Sequence, residues 1–194
     1  MVTDRELGLG GLIRSDVVAW VSRWSQPTAG RIEDPSFLTG LRYAWTQLGL
    51  RATILYRVSH SLHRSGIHVL PGMVGRLNAT LHGIDIPPSV PIGPGLYVPH
   101  PFGTVVMARR IGAGATLVSC VTIGMRNEPA FPLIGDNVYV SAGARVLGGI
   151  TIGNNVAIGA NAVVLRDVPD DHVAVGVPAA ARPRRSERLA EVAQ

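Results

Sequence analysis

An aliphatic residue recurs every six positions through the second half of this 194-residue chain. All thirteen positions hold Ile, Val or Leu: Ile86, Ile92, Val98, then after one extra residue Val105, Ile111, Leu117 and Ile123, and after an insertion Ile134, Val140, Val146, Ile152, Ile158 and Val164. A six-residue period matches neither an α-helix nor a hairpin meander. It is typical of a chain that wraps around a triangular prism and lays one short strand on each face.

Glycines mark the corners of this prism. Six of the aliphatic residues are followed directly by glycine: Gly93, Gly112, Gly124, Gly135, Gly153 and Gly159. Glycines of ordinary loops have no reason to follow a branched aliphatic residue in phase, so the pattern indicates turns that repeat with the strands. Three hexads make one coil of about eighteen residues, and successive coils pair about 4.8 Å apart. Thirteen hexads predict about four coils.

The first part of the chain has helical spacing instead. Apolar residues recur three or four positions apart over about 4–24 and 35–65, and a last short helix is expected near 73–81. Two sets define the apolar faces: Leu41, Trp45 and Leu48, and Leu55, Val58 and Leu62. The Pro- and Gly-containing segment 26–30 has the composition of a linker.

These patterns predict an α+β fold. We expect a helical N-terminal region at 1–82, a parallel β-helix at 83–180 and a basic tail at 181–194. His60 and His63 share one face of a predicted helix without an accompanying cysteine or carboxylate. We therefore interpret them as part of a solvated helix face and not as metal ligands.

All eighteen basic residues are arginine, and the formal net charge is +5. Without a lysine, Schiff-base chemistry, pyridoxal anchoring and a Walker-type phosphate loop are excluded. A cluster near the C-terminus contains Arg182, Arg184, Arg185 and Arg188. No aromatic residue for base stacking is interleaved with that cluster, so nucleic-acid binding is not expected. A basic surface equally attracts a phosphorylated cofactor.

Cys120 is the single cysteine, which rules out an intrachain disulfide. The charged residues Asp4, Arg5 and Glu6 precede a short apolar run, which is not typical of a signal peptide. No stretch reaches the roughly 18 uncharged apolar residues of a membrane span. The sequence thus predicts a cytoplasmic protein that does not enter a membrane.

The longest motifs lie in and around the repeats. The stretch LHGIDIPPSVPIGPGLYVPHPFG at 81–103, followed by VTIG, IGDNVYVSAGARVLGGITIGNNVAIGANAVV and VAVGVPA, resembles the serine acetyltransferase group of hexapeptide-repeat acyltransferases. The helical segment YRVSHSLHRSG is also similar, so the resemblance spans most of the chain. It implies a left-handed β-helix, acetyl-CoA as co-substrate and a homotrimer with active sites between neighbouring prisms. It also leaves room for a dimer of trimers through the N-terminal helices.

Acyl transfer from a thioester to a hydroxyl requires a base with a pKa near neutrality, and histidine is the suitable side chain. The repeats contain His100 and His172, and His172 reads as a turn residue at the end of the prism. The resemblance places the catalytic base at His100 and an orienting carboxylate at Asp85. Asp85 precedes His100 by fifteen residues, so the spacing predicts successive coils and a shared edge of the prism. A metal-dependent hydratase of this fold needs several converging histidines, and we expect no metal.

Small residues are expected to line the groove for the pantetheine arm of the cofactor. Gly124, Ala142 and Ala160 match these positions of the family. Arg166 and Arg182 are the candidates for the nucleotide end, because arginine must neutralise any CoA phosphate in a chain without lysine.

The insertion 125–133 interrupts the hexads, and a loop on a rigid scaffold is a typical place for substrate recognition. The family carries an Arg-His pair here and an aspartate before the catalytic histidine. This chain has Ala130 and Phe131 in place of the pair and Pro99 in place of the aspartate. Arg126 is the candidate for binding an acceptor carboxylate in their stead. The sequence predicts weak or altered use of serine.

The sequence leaves the acceptor open between serine, a serine-like molecule, and the hydroxyl of a sugar or polysaccharide precursor. A catalytically silent β-helix trimer that acts as a scaffold is the alternative of another class. Cys120 stands at a hexad position otherwise held by glycine and is interpreted as a packing residue, so direct transfer without an acyl-enzyme is expected. The chain ends in Gln194 and lacks the terminal isoleucine that the family inserts into cysteine synthase, so that partner is not expected.

Overall fold

The computed structural model describes residues 4–24 and 35–184. Four helices come first: α1 (Asp4–Trp24), α2 (Phe37–Thr46), α3 (Leu48–Arg64) and α4 (Leu70–His82). The predicted linker at 26–30, and Arg185, Arg188 and Gln194 of the predicted tail, lie outside the described residues. Within the described ranges, none of the helices combines the length and the apolar character that crossing a bilayer requires.

Short strands follow the helices and form three faces of a prism. Face A contains β1 (Ile84–Asp85), β2 (Thr104–Val106), β5 (Thr122–Gly124), β8 (Arg145–Leu147) and β11 (Val163–Val164). Face B contains β3 (Arg110–Ile111), β6 (Leu133–Ile134) and β9 (Thr151–Ile152). Face C contains β4 (Thr116–Leu117), β7 (Tyr139–Val140), β10 (Ala157–Ile158), β12 (His172–Gly176) and β13 (Ala179–Pro183).

The strands pair in parallel with the strand one coil away, and this confirms the predicted β-helix. Isolated bridges from Ile92, Tyr97 and Val168 complete the first and the last circuit, so a fifth circuit follows the four predicted coils. The last strand, β13, turns back and pairs antiparallel with β12. It extends to Pro183, past residue 181 at which the sequence placed the start of the tail.

The predicted aliphatic ladder forms the core, with one correction. Twelve of the thirteen predicted positions are buried, whereas Val105 is half-buried and Val106 points inward in its place. Val106 pairs with Ile123 of the next coil, which fixes its place in the ladder. The period between Val98 and Val106 is therefore extended by two residues and not by one. This longer corner contains His100.

The corner between faces B and C is closed by its own polar side chains. Asp136 Oδ1 accepts a hydrogen bond from the Ala113 N–H, Asn154 Oδ1 accepts from the Asp136 N–H, and Asp170 Oδ1 accepts from the Asn154 N–H, each at 2.8 or 2.9 Å. The donors of Asn154 hold the pKa of the Asp170 carboxyl below its usual range. The backbone donors of this corner are used within the protein, so the B/C corner has a structural role.

A buried ion pair attaches the helices to the first coil. Arg57 in α3 donates from Nε and Nη2 to the carboxylate of Asp16 in α1, at 2.9 and 3.0 Å. The same guanidinium donates to the carbonyls of Ile92 and Gly93, and Asp16 accepts from the Leu96 N–H at 2.8 Å. Both side chains are 0% exposed. The pair therefore joins two helices and the first prism coil through one network.

The helices turn a different face inward than their apolar residues predict. Leu41 and Trp45 are exposed, and Trp45 is 80% exposed. On α3 the buried side instead carries Tyr56, Arg57 and His60. The interpretation of His60 as solvated is wrong, because its Nδ1 donates to the Pro88 carbonyl at 2.7 Å. These polar side chains are buried because backbone carbonyls of the first coil accept their hydrogen bonds.

The start of α3 packs directly behind the corner that bears His100. A Cβ atom on Gly49 would overlap the carbonyl of Val98, so glycine is required for this close approach. Val98 is buried and lies two residues before His100. The helical region thus packs against the backbone that leads into this corner and supports it.

We expect the loss of either charge of the buried pair to destabilise the fold strongly. Arg57→Ala should lower the free energy of unfolding by about 3–5 kcal/mol, because the Asp16 carboxylate then stays buried without its counter-ion. The double variant Asp16→Ala with Arg57→Ala should lose less than the sum of the single losses. Urea unfolding at one fixed protein concentration measures this.

Arg51→Ala is the control for this comparison, since Arg51 is an exposed arginine on the same helix. Its stability should change by less than about 0.5 kcal/mol. Additive losses in the double variant would show that the pair does not act as one unit.

Candidate functional site

His100 lies at the corner between faces C and A, in the enlarged turn that leads into β2. Its side chain is exposed. The turn is braced by three backbone hydrogen bonds: Thr104 N–H to the Pro101 carbonyl at 3.2 Å, Gly103 N–H to the Gly83 carbonyl at 2.9 Å and Cys120 N–H to the Phe102 carbonyl at 2.9 Å. Adjacent coils hold this backbone on both sides. The imidazole is thus presented to solvent from a fixed turn.

Asp85 lies near the same corner, one coil earlier. It occupies the outward side of β1, is exposed, and its Cα pairs with Val105. Among the described residues, neither the Asp85 carboxylate nor the His100 imidazole forms a hydrogen bond or an ion pair. A single chain therefore holds the two side chains on neighbouring coils of one corner without joining them.

A column of small residues continues from His100 along this C/A corner. Ala142 and Ala160 occupy the corner in successive coils, and the Asn161 N–H donates to the Ala142 carbonyl at 2.9 Å. Ala142 is partly exposed and Ala160 is exposed. Two predicted cofactor residues thus share a corner with the predicted base, and their side chains do not extend beyond a methyl group there.

The other predicted residues lie at the corner between faces A and B. Gly124 ends β5 at this corner, and a Cβ atom built on it would meet nothing within 4 Å. Arg126 belongs to the insertion that follows, and Arg166 is exposed at the same corner two coils later. The A/B corner therefore combines open space with two guanidinium groups.

Face A separates these two groups of residues. Its strands and the adjoining turn residues amount to roughly four extended residues, or about 13 Å. His100 and Ala142 lie on one edge of the face, and Gly124 lies on the other. Arg182 lies on neither edge, because it is in β13 and pairs with Val173 near the start of β12. The other predicted site residues thus fall into two groups on opposite edges of face A, which are called the His100 half-site and the Gly124 half-site.

Arg145 lies at the His100 half-site, and the sequence analysis missed this residue. From the outward side of β8, its Nη1 donates to the carbonyls of Cys120 and Gly143 at 2.7 and 2.8 Å. These carbonyls belong to successive coils of the C/A corner. A signal was present in the sequence, since an arginine directly before an inward aliphatic residue must point outward from the prism.

The insertion covers a cavity at the A/B corner. The cavity has a volume of about 270 Å³. Its lining residues are Arg126, Asn127, Glu128 and Ala130 of the insertion, with Leu147, Gly148, Gly149, Ile150 and Leu165 from the prism. Glu128 is the one acidic residue among them, and sequence reasoning did not single it out.

Cys120 occupies the C/A corner between Gly103 and Gly143. Its backbone is left-handed with φ +52°, and both glycines also have positive φ. This conformation explains why the other residues of positive φ at this corner are glycine or asparagine, and it adds to the small size that the sequence suggested. Cys120 is exposed.

The described residues include no group of three or more His, Cys, Asp or Glu placed to hold a metal ion. His172, the other histidine of the repeats, interacts locally, with Nδ1 2.7 Å from the Asp170 carbonyl oxygen.

Comparison with known proteins gives one family match and many relatives. The family described as "Bacterial transferase hexapeptide (six repeats)" matches residues 131–166. The serine acetyltransferase of Helicobacter pylori strain J99 is 37% identical over 155 residues, which is 76% of this chain and 88% of that protein. The serine acetyltransferase of Synechococcus elongatus is 38% identical over 149 residues, which is 75% of this chain. The match spans 61% of the Synechococcus protein.

Solved structures of the same name share the fold. A serine acetyltransferase in complex with CoA aligns with a TM-score of 0.77 at 27% identity, covering 90% of this chain and 69% of that chain. The serine acetyltransferase of Neisseria gonorrhoeae in complex with serine aligns with a TM-score of 0.76 at 30% identity, covering 89% of this chain and 68% of that chain.

We expect the left-handed backbone at Cys120 to control which residues are accepted there. Cys120→Val should lower the free energy of unfolding by about 1–2 kcal/mol, because a β-branched side chain is strained at positive φ. Cys120→Gly should not lower it, since glycine adopts this conformation freely. Urea unfolding of both variants at equal concentration tests this, and equal losses in the two would contradict it.

Proposed function

Because the chain belongs to the serine acetyltransferase family of hexapeptide-repeat transferases, we propose that it transfers the acetyl group of acetyl-CoA to the hydroxyl of serine or a serine-like small molecule. The observation that carries the proposal is an exposed histidine on the same prism corner as two small residues. His100, Ala142 and Ala160 share the C/A corner, and the prism holds all three through its backbone. Relatives solved with CoA and with serine support the same pair of ligands.

His100 is the general base of the proposed reaction. Its neutral imidazole accepts the proton of the acceptor hydroxyl as the hydroxyl oxygen forms a bond to the thioester carbonyl carbon. The carbon–sulfur bond then breaks, and the imidazolium returns its proton to the departing thiolate. The Asp85 carboxylate supports the positive charge on the imidazole during this exchange. No covalent bond to the enzyme forms, so Cys120 has no part in the reaction.

The pantetheine arm of CoA needs a groove without protruding side chains. Ala142 and Ala160 provide this on one edge of face A, and the open space at Gly124 provides it on the other. Arg166 stands beyond Gly124 at the exposed A/B corner, where a guanidinium suits the phosphates of the nucleotide end. We assign that end to Arg166 and leave Arg182 out, because Arg182 lies on face C.

The two half-sites imply that the active site is shared between protomers. In a ring of three prisms that turn face A toward the common axis, the His100 edge of one protomer meets the Gly124 edge of the next. One row of paired residues runs along the outward side of face A: Asp85, Val105, Thr122, Arg145 and Val163. The three uncharged members are half-buried already in the single chain, and the Arg145 guanidinium is hydrogen-bonded to carbonyls of its own chain, so most of this row suits a protein contact. We therefore propose a homotrimer.

The helices offer a second surface for association. Leu38, Leu41 and Trp45 lie three and four residues apart on α2 and are 74%, 59% and 80% exposed. Three large apolar side chains in one helical stripe favour a protein contact over a solvated face. We propose that this stripe joins two trimers through their N-terminal helices.

Removal of the proposed base should abolish acetyl transfer and leave the assembly intact. His100→Ala should reduce kcat by about 10²- to 10⁴-fold, the usual effect of losing a general base. The substitution removes an exposed side chain, so the oligomeric mass should not change. CoA release measured with a thiol reagent gives the rate, and light scattering gives the mass.

His68→Ala is the matched control for this variant, because His68 is an exposed histidine outside the prism. It should keep full activity. If His100→Ala retains more than about a tenth of the wild-type kcat, His100 is not the base. That result, with an unchanged trimer, would place the base at another residue. A wild-type protein that releases no CoA with any acceptor would instead favour the catalytically silent scaffold.

Sharing of the site between protomers can be tested by complementation. His100→Ala removes one half-site, and Gly124→Val fills the open space of the other, where a Cβ atom meets nothing within 4 Å. Each variant alone should be inactive. Trimers reassembled from equal amounts of both should recover about one quarter of the wild-type activity, because one site in four then combines two intact edges. Recovery of no activity would place the whole site within one chain.

A further inference from the structure

We propose that the cavity beneath the insertion is the acceptor subsite, and that it reads a zwitterion: Glu128 binds the ammonium group and Arg126 binds the carboxylate of an amino-acid acceptor. This rests on the proposed acetyl transfer and adds to it a specificity-determining carboxylate. The inference begins from charge. Arg126 and Glu128 line the same cavity with opposite signs.

Both charges are available to a ligand. The side chains of Arg126 and Glu128 are exposed, and within the described ranges neither forms a hydrogen bond or an ion pair, either with the other or elsewhere. A carboxylate and a guanidinium that line one cavity complement a molecule that carries an ammonium and a carboxylate. A sugar hydroxyl can hydrogen-bond to either group, but it carries no charge to complement them.

The remainder of the cavity suits a small ligand. Its prism side is formed by Leu147, Ile150 and Leu165, and Asn127 adds one neutral polar group. A volume of about 270 Å³ lies below the range of roughly 300–1,000 Å³ that is typical of drug-sized ligands. An amino acid therefore fits this space better than a nucleotide sugar does.

The prism holds the insertion firmly enough to keep the two charges in place. At its start the Gly124 carbonyl accepts from the Gly148 N–H, and at its end the Pro132 carbonyl accepts from the Arg109 N–H, both at 2.9 Å. In the middle, the Ala130 N–H donates to the Glu128 carbonyl at 2.7 Å.

A contact with the next coil adds to these hydrogen bonds. A Cβ atom on Gly149 would lie 2.9 Å from the Ala130 Cβ, so the absence of a side chain at Gly149 lets the insertion lie close to that coil. Backbone bonds and a glycine contact thus fix the turn that carries Arg126 and Glu128.

This arrangement explains how the chain can use an amino acid without the residues that its resemblance leads one to expect. At the positions of the family's charged residues, Ala130 packs against Gly149, and Phe131 and Pro99 carry no charge. The charged residues of this chain, Arg126 and Glu128, stand at earlier positions of the same insertion. They lie on the A/B edge, which in the proposed trimer faces the His100 edge of the neighbouring protomer.

Acceptor analogues that lack one charge test each contact separately. L-serine carries both charges, ethanolamine lacks the carboxylate, and 3-hydroxypropionate lacks the ammonium group. In the assembled protein, Glu128→Gln should raise KM for L-serine about 10- to 100-fold relative to the wild type, with kcat within about threefold, since a hydrogen bond to a charged group is lost. It should leave KM for 3-hydroxypropionate unchanged.

Arg126→Gln should give the mirror result, with a raised KM for L-serine and an unchanged KM for ethanolamine. Arg109→Gln is the control, because Arg109 is an exposed arginine one coil earlier and does not line the cavity. It should leave all three acceptors unaffected. A KM for L-serine that changes less than twofold in Glu128→Gln overturns the proposal. So does an equal loss of kcat with every acceptor.

Binding without turnover separates this proposal from the proposed reaction. Isothermal titration of L-serine into the full chain, without acetyl-CoA, should show binding that Glu128→Gln and Arg126→Gln each weaken at least about tenfold. If L-serine binds in this way but no acceptor releases CoA, the subsite stands and the acetyl-transfer proposal falls. If the wild-type protein turns over a sugar and does not bind L-serine, the subsite is wrong and acetyl transfer stands.

Discussion

The fold depends on one steric constraint, which is that each face of each coil places one branched aliphatic side chain on the prism axis. Ile123, Val146 and Val164 stack in this way on face A and are buried. Because parallel pairing holds each inward residue directly above the last, the backbone cannot shift register without turning a polar residue into the core. The corners therefore repeat at the fixed spacing of the coils, and so do the candidate site residues that lie on them.

The three corners of the prism have separate roles. The role of each corner depends on whether its own side chains use the backbone N–H donors. At the B/C corner Asp136, Asn154 and Asp170 use the backbone donors in a continuous ladder. The C/A and A/B corners carry small residues instead, so their surfaces stay open. Both departures from the six-residue period also occur there, as the enlarged turn at His100 and the insertion 125–133. In a repeating fold, a break in the period thus indicates a segment that the stacking of the coils does not itself require.

The helical region serves the first coil, which has no coil before it. Backbone carbonyls at the end of a stack lack partners from a preceding strand, and burying them unpaired is costly. Arg57 donates to the carbonyls of Ile92 and Gly93, and Tyr56 donates to the carbonyl of Val90 at 2.6 Å. Asp16 neutralises the buried guanidinium. The helices thus act as a polar cap, which explains why their most apolar stripe on α2 remains on the surface.

The sequence by itself determined the prism, because a six-residue period of branched aliphatic residues is local information that twelve of its thirteen positions keep in the folded core. The family resemblance of the motifs also indicated His100 and Asp85 as candidates, and the interruption of the period drew attention to Arg126. Tertiary structure alone decided that Val106 replaces Val105 in the core, that Arg57 and His60 are buried, and that Glu128 shares a cavity with Arg126. Each of these depends on contacts with residues distant in sequence, which for the cavity are the prism residues that line its other side. The periodicity of a single segment carries no record of such contacts.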